Sequence, residues 1–518
     1  MDRDRPPGPR SPHPQIVAVV GGGITGLAAA WELVQGDNPV QVIVLEGSGC
    51  LGGKIQAANV GGITVDTGPD AFLARRPEAV TLCGEIGIAD ELVAPGSRRA
   101  YVWSRGRLRA LPDGLALGIP TRLGPVIRSG ILSPAGLARA AVDLLGVTWP
   151  REVPDLAYHD SAHRHRAHRQ RAHPDPGDRT EVGDDRAIGD IVADRLGREV
   201  VDRLVDPLIG GIHAGPVSAM SAAAVYPPLL EARAKGGSLF RSLRAAVAAP
   251  VPTDPVAPVF LAPRRGVRRV VDVLVATLEE RGAQLRTSTP VTAIERNADR
   301  AGGWRLRAGD GPLEVDGVVV AVPAGPAADL LTDLDRAVGS LLAEIGYATV
   351  TVVTFVFPAS SPSRPLDGTG FLVPAVEGRL TTGCTWMSTK WPQLACAGNV
   401  VVRASVGRFG DQRATAMDDD ELIAVVLDEL RPILGLRGCP SATLVTRWPD
   451  AFPQYRPGHL ERADAIEAGV GALGSVAIAG AAFRGVGIPA CIASGRRAAR
   501  RLLGTDAPGA VVAPGPGP

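Results

Sequence analysis

Six residues near the N-terminus constrain this chain more than any others: Gly21-Gly22-Gly23-Ile24-Thr25-Gly26. They follow a short apolar run, Ile16–Val20. An alanine-rich stretch, Leu27–Val34, comes next, and then a second apolar run, Val40–Leu45. Apolar runs of this length, bounded by glycine, read as buried strands, and the stretch between them reads as a helix. The order strand, turn, helix, strand fits within about 30 residues, the size of a βαβ unit. Each glycine of Gly-x-Gly-x-x-Gly has a physical reading. Gly21 permits the tight turn, Gly23 lets backbone approach a pyrophosphate, and Gly26 lets the helix pack closely on the strand. The free amides of the helix N-terminus suit an anion, and Gly22, Ile24 and Thr25 lie in the same loop.

Glu46 ends the second apolar run. Its offset from Gly21 is near that expected of an acid that binds ribose hydroxyls, with Gly47 beside it. A carboxylate there repels a 2′-phosphate, which argues against NADP. Leu51-Gly52-Gly53-Lys54 follows directly. It resembles the second glycine motif of amine oxidase-like flavoproteins and so favours FAD over NAD. Lys54 reads as a phosphate or flavin contact, or as an ordinary surface lysine. Asp66-Thr67-Gly68-Pro69-Asp70-Ala71-Phe72 comes next. In that superfamily the corresponding segment passes the isoalloxazine ring, which implies Gly68, Pro69, Asp70 and Ala71 as flavin contacts. A glycine–proline step makes a rigid turn able to present backbone to the ring.

Two later segments narrow the resemblance. Asp202-Arg203-Leu204-Val205-Asp206-Pro207-Leu208-Ile209-Gly210-Gly211-Ile212-His213-Ala214-Gly215 is one, and Phe483-Arg484-Gly485-Val486-Gly487-Ile488-Pro489-Ala490-Cys491-Ile492 is the other. With the glycine motifs they resemble the bacterial porphyrinogen oxidase family, over about residues 15–503. The resemblance implies an α/β chain: a Rossmann-like FAD-binding domain, discontinuous in sequence, with a mixed-sheet substrate domain and a helical subdomain. It implies oxidation of coproporphyrinogen III, or alternatively protoporphyrinogen IX, in heme synthesis. Hydride would pass to flavin N5, and O2 would reoxidise the flavin to give H2O2. It carries Val486, Gly487 and Ile488 to the flavin, Trp448 to the flavin side or to core packing, and Val291 to the adenine. One departure stands out: Ala481 occupies a position that is acidic in many superfamily members. Substrate propionates need cationic or N–H partners. Arg98, Arg99 and Lys390 are candidates, and His213 is a polar active-site or structural residue. No residue is assigned as a catalytic base.

Length and composition bound the remainder. The chain has 518 residues, 45% apolar and 21% charged, with net charge +1, which gives no electrostatic case for nucleic-acid binding. Six cysteines without Cys-x-x-Cys spacing suggest a reduced, cytoplasmic setting, with peripheral membrane contact left open. No zinc spacing, P-loop or Ser/His/Asp arrangement is evident, so no metal is expected.

The expected organisation is a disordered leader at 1–14 and FAD-binding segments at 15–95, 251–325 and 446–504. A helical subdomain spans 96–250, with a disordered His/Arg insertion at 151–186. A substrate-binding domain spans 326–445, and a disordered tail 505–518. Metal binding is the alternative reading of the insertion. Substrate and O2 are the expected partners, with hand-over to other heme-pathway enzymes conceivable. Other readings of the whole are a FAD-dependent amine oxidase, a carotenoid desaturase, or a non-catalytic flavin-binding redox or interaction protein. The scarcity of tyrosine, five in all, argues against an aromatic amine cage.

Overall fold

The glycine loop opens from a sheet of five short parallel strands. In chain order its elements are β1 (Gln15–Val20), α1 (Ile24–Val34), β2 (Val40–Leu45), α2 (Arg268–Glu280), β3 (Gln284–Arg286), β4 (Gly317–Val320), β5 (Val476–Ile478) and α3 (Ile488–Leu503). The strands lie side by side as β3-β2-β1-β4-β5, every pair parallel. This is the doubly wound dinucleotide order. Val17–Val20, Val42–Leu45 and Val318–Val320 are buried, because one face packs on α1, α2 and α3 and the other on a three-stranded antiparallel sheet (Val291–Arg296, Trp304–Ala308, Gly311–Val315) with the helix Ala324–Leu331. The structure, a computed structural model, describes residues 15–36, 40–146, 185–248, 258–300, 302–309, 311–395 and 398–505. The leader, nearly all of the His/Arg insertion and almost all of the C-terminal tail lie outside the described residues.

The helix α3 brings the C-terminal end of the chain back onto α1. A Cβ on Gly495 would sit 2.1 Å from the Thr25 carbonyl oxygen, so the two helices touch backbone to backbone. Arg500 and Glu32 pair across the contact at 2.6 Å.

A second sheet has seven strands. From edge to edge they are Ala442–Pro453, Tyr347–Pro358, Asn399–Val406, Thr381–Trp386, Gly370–Leu372, Tyr101–Ser104 and Arg107–Ala110. Tyr101–Ser104 runs parallel to Gly370–Leu372 and the other pairs are antiparallel, so the sheet is mixed. A third region, helical, is packed around Ile188, Ile191, Leu204, Val205, Leu229 and Leu243.

Two expectations need correction. The 96–250 region, expected to be a helical subdomain, contains the hairpin Tyr101–Ala110 of the second sheet. Arg105 and Gly106 at its tip have φ +52° and +72°, the two left-handed residues of a two-residue hairpin turn, preceded by Tyr101, Val102 and Trp103. Within that region the helix Ile188–Leu196 stops at Gly197, φ +89°, and a widened helix follows over Val201–Gly210, where Pro207 supplies no amide donor. The boundary expected at 445/446 falls inside the strand Ala442–Pro453, so Trp448 belongs to the second sheet.

Candidate functional site

Gly21, at φ +108°, turns the chain and donates its amide to the Leu45 carbonyl at 2.8 Å. A Cβ on Gly26 would lie 1.9 Å from the Gly21 carbonyl oxygen, so the close packing expected of that glycine is real. Gly23 is different. It caps α1 with φ −70° and ψ 175°, a conformation open to any residue. A Cβ there would find only the Gly53 Cα, at 4.0 Å. Neither backbone strain nor protein crowding requires glycine at 23, and the space in front of it is free. The first turn of α1 holds no acid, and a glycine cap offers its amides no side-chain acceptor. Unsatisfied amides beside free space suit an anion such as a pyrophosphate.

Glu46 is held in place by the loop. Its Oε2 accepts from the Gly22 amide at 2.7 Å and its Oε1 from the Ser48 amide at 2.8 Å. The Glu46 carbonyl accepts from Thr289 N, and the Ser48 carbonyl from Ser288 N, both at 2.8 Å. These bonds set the start of the strand Val291–Arg296 beside Glu46. Gly47 lies against Pro290, so Glu46 and Val291, expected at a ribose and an adenine, are brought near one another although they are far apart in the chain.

The second glycine loop meets the first directly. Gly52 donates to the Gly22 carbonyl at 2.8 Å, and Gly23 and Gly52 form a parallel bridge. Lys54 is half-buried; burial lowers the pKa of its amine, against the raising influence of Cys491 and Asp450. A Cβ on Gly68 would lie 1.9 Å from the Lys54 carbonyl oxygen, so Gly-Pro-Asp runs tightly along Lys54. Trp448 closes this side: its indole N–H donates to the Thr67 carbonyl at 3.0 Å.

At the N-terminus of α3, Gly487 is the cap, and no acid occupies the first turn. Tyr455, buried, spans the preceding loop. Its hydroxyl donates to the Ala481 carbonyl and accepts from the Gly485 amide, the latter at 2.8 Å. Ala481 therefore does no acidic work, and Gly480 N is held by Ser494 Oγ at 3.0 Å. His459 stacks on Tyr455, ring centroids 3.9 Å apart, and bonds the Phe483 carbonyl at 2.9 Å. Tyr455 and His459 were not expected from the sequence; only their partners in the loop reveal their role.

Two expected roles change. The Asp70 carboxylate is buried and takes an ion pair from Lys390 at 2.9 Å, one from Arg403 at 3.2 Å, and the Trp391 indole N–H at 2.9 Å. Burial opposes its ionisation, but Lys390 and Arg403 outweigh it and hold the carboxyl well below its usual range. Asp70 is thus a structural ion in its side chain, whatever its backbone meets. Lys390, expected at a propionate, is engaged by Asp70. Arg403 also donates to the carbonyls of Asp66 and Gly68, both at 3.0 Å, and so ties the second sheet to the Gly68 turn.

The other substrate candidates have separate surroundings. Arg99 is exposed and pairs with Asp367 at 2.5 Å; Arg98 beside it is exposed. The two lie on the approach to Tyr101. His213 Nδ1 is buried without a hydrogen-bond partner among the described residues, and burial pushes its pKa down to about 4, so the imidazole is neutral at physiological pH. Its carbonyl accepts from Gln454 at 2.9 Å. No cluster of His, Cys, Asp or Glu fit for a metal occurs among the described residues. No helix among them is long and apolar enough to cross a membrane.

Comparison with known proteins accounts for this architecture. The model of the flavin containing amine oxidoreductase family matches residues 24–503. The chain belongs to that family. It is therefore a flavin-dependent oxidoreductase, and within the family it groups with the bacterial porphyrinogen oxidases. Its relatives include the coproporphyrinogen III oxidase of Bacillus subtilis (strain 168), 31% identical over 94% of this chain and 97% of the other. Another is the coproporphyrinogen III oxidase of Propionibacterium freudenreichii subsp. freudenreichii, 33% identical over 96% and 92%. A solved structure provisionally named protoporphyrinogen oxidase, from Exiguobacterium sp. 255-15, superimposes with a TM-score of 0.77 at 29% identity, over 94% of this chain and 98% of that one.

Proposed function

We propose that this chain is a FAD-dependent coproporphyrinogen III oxidase that uses O2. The observation that carries the reading is the continuity of one site from both ends of the chain. Gly23 meets Gly53, Lys54 meets Gly68, Thr67 meets Trp448, and α3 leans on α1. A mononucleotide would need only the first of these contacts. FAD, with adenine, pyrophosphate and flavin in line, uses them all. Glu46 and Val291 would take the adenosine end, and the α1 amides after Gly23 the pyrophosphate. Lys54, Gly68, Trp448 and Val486–Ile488 would take the flavin.

When bound, the flavin supplies a two-electron acceptor whose reduced form can be reoxidised by O2. The protein's own part is to hold and exclude. The amides at the start of α3, after Gly487, stabilise negative charge presented to them. His213 stays neutral, and the Asp70–Lys390–Arg403 cluster keeps its protons within its own ion pairs. The macrocycle would lose six electrons and six hydrogens overall, appearing as three H2O2. Coproporphyrinogen III is preferred as substrate because both curated relatives described above carry that name.

The test is direct. Purified protein reconstituted with FAD is incubated in air with each porphyrinogen, following porphyrin fluorescence and peroxide. Porphyrin above the autoxidation control is expected, faster from coproporphyrinogen III. No porphyrin from either substrate sinks the enzyme reading, and a faster rate with protoporphyrinogen IX reverses the substrate order.

A further inference from the structure

Arg268 belongs to no sequence motif. It lies in the first turn of α2, remote in the chain from the glycine loops. Yet its guanidinium reaches into the second of them. Nη1 donates to the Leu51 carbonyl at 2.7 Å, to Gln56 Oε1 at 2.6 Å and to the Ile55 carbonyl at 3.3 Å, while Nε bonds Asp272 at 2.7 Å. Gln56 relays the grip. Its amide Nε2 donates to the carbonyls of Leu51 and Gly53, both at 3.1 Å. Three carbonyls of the loop thus turn toward one pair of side chains.

The consequence follows from peptide geometry. In a trans peptide the C=O and the next N–H point opposite ways. Holding the Leu51 carbonyl aims the Gly52 amide away from Arg268, and that amide is the one that bonds Gly22. Holding the Gly53 carbonyl aims the Lys54 amide in the same manner. Gly52 and Gly53, at φ +105° and +57°, are also the residues with the most conformational freedom to lose. A loop with two such glycines needs outside restraint to keep one shape.

Arg268 is itself anchored. The buried Asp66 carboxylate accepts from Val267 N at 2.9 Å and Arg268 N at 3.2 Å, which caps α2 and sets the point from which the arginine projects. A Cβ on Gly266 would sit 2.8 Å from that carboxylate, so the turn is closed around it. Asp66 stands just before Thr67 and Gly68. One capping acid therefore registers both the Gly52–Lys54 loop and the Gly68 turn.

We propose that Arg268, relayed by Gln56 and anchored by Asp66, is a positioning residue for the cofactor. It preorganises the Gly52–Lys54 loop and touches no cofactor atom itself. The inference rests on the FAD reading above. Preorganisation raises affinity by removing an ordering cost that binding would otherwise bear.

The experiment is FAD titration of the apoprotein by flavin fluorescence, with the thermal midpoint of each apoprotein measured alongside. Arg268→Met is expected to weaken FAD binding about 10- to 100-fold, with a smaller change in the apoprotein midpoint than in the holoprotein midpoint. Arg268→Lys keeps the charge but loses the planar fork, so it should restore little. Gln56→Ala should weaken binding too, and the double variant Arg268→Met/Gln56→Ala should be less than additive. Unchanged FAD affinity in Arg268→Met overturns the proposal, as does full rescue by lysine or strict additivity with Gln56→Ala. Should Arg268→Met fail to fold, Gln56→Ala and Arg268→Lys decide the matter by the same titration. Wild-type protein that binds no FAD would instead refute the cofactor reading itself.

Discussion

Gly23 and Gly26 belong to one motif, yet the structure separates their tasks sharply enough to predict opposite phenotypes. At Gly23 the backbone is extended, and a Cβ would meet nothing nearer than 4.0 Å. Gly23→Val should therefore fold normally as apoprotein. Its side chain would occupy the free space before α1 and keep a pyrophosphate from the amides. Charge-assisted hydrogen bonds contribute roughly 1.5–3 kcal/mol each, so loss of two costs about 3–6 kcal/mol. That is about a 10²- to 10⁴-fold rise in the Kd for FAD. At Gly26 the clash is internal. A Cβ would lie 1.9 Å from the Gly21 carbonyl oxygen, well inside the 3.0 Å that real Cβ atoms respect, so helix and strand must part by about an ångström. Overpacking of that kind costs about 1–3 kcal/mol or more. Gly26→Ala should thus lower the thermal midpoint of the apoprotein itself. The assay pairs flavin absorbance per polypeptide and FAD titration with apoprotein melting. A yellow, stoichiometric Gly23→Val protein of unchanged Kd would refute the assignment of that space. A Gly26→Ala apoprotein as stable as wild type would refute the packing argument.

Three further outcomes are expected. Asp70→Asn leaves Lys390 and Arg403 without their counter-ion in a buried setting and should destabilise the protein by about 3–5 kcal/mol. Because the Asp70 pKa is held below its unfolded value, its stabilisation is complete above about pH 4 and lost below. Urea melts of both proteins should therefore converge as pH falls below about 4, and a gap independent of pH would count against the ion cluster. Asp66 behaves in the opposite sense: burial, partly offset by the Val267 and Arg268 amides, raises its pKa from 3.8 to about 6. The folded protein takes up a proton as pH falls through 6 before the unfolded chain does. This group thus adds stability from pH 6 down to about 4, up to about 3 kcal/mol, and is a cost above pH 6. Asp66→Asn should flatten that slope in urea titrations, and an unaltered slope would assign it to another group. Tyr455→Phe removes the hydroxyl that joins Ala481 to Gly485. It should cost about 1–3 kcal/mol and loosen FAD, read by melting and by flavin release; a variant unchanged in both measurements would show that the loop holds itself.

Much of the site was legible because it is local. The βαβ unit declares itself through two apolar runs, a helix-length stretch and three glycines at fixed offsets, and the structure agrees closely: Gln15–Val20, Ile24–Val34, Val40–Leu45. The same locality holds for Asp418, an acid favoured at a helix start, whose side chain caps Asp419–Leu434 by accepting from the Glu421 amide. The misreadings share a cause. Tyr101–Ala110 sits among proline-punctuated helical segments, and its hairpin signal, Arg105-Gly106 with strand formers on its N-terminal side alone, is very short. Its strand character is completed by pairing with Gly370–Leu372, which comes much later in the chain. Lys390 looked available because a lone lysine in sequence carries no sign of its partner.

The sequence by itself determined the dinucleotide fold at the N-terminal end, the acid at Glu46 and the glycine segments that line up behind it. These depend on side-chain period, turn chemistry and backbone freedom, which act between near neighbours in the chain. Tertiary structure alone decided which long-range partners each side chain meets. It set Lys390 and Arg403 on Asp70, Tyr455 across the Ala481–Gly485 loop, and Arg268 on the Gly52–Lys54 loop. Those pairings follow from the order of strands in two sheets and the return of α3 onto α1. Sheet order is settled by burial of whole faces, and no local pattern along the chain encodes which residue then lies opposite which.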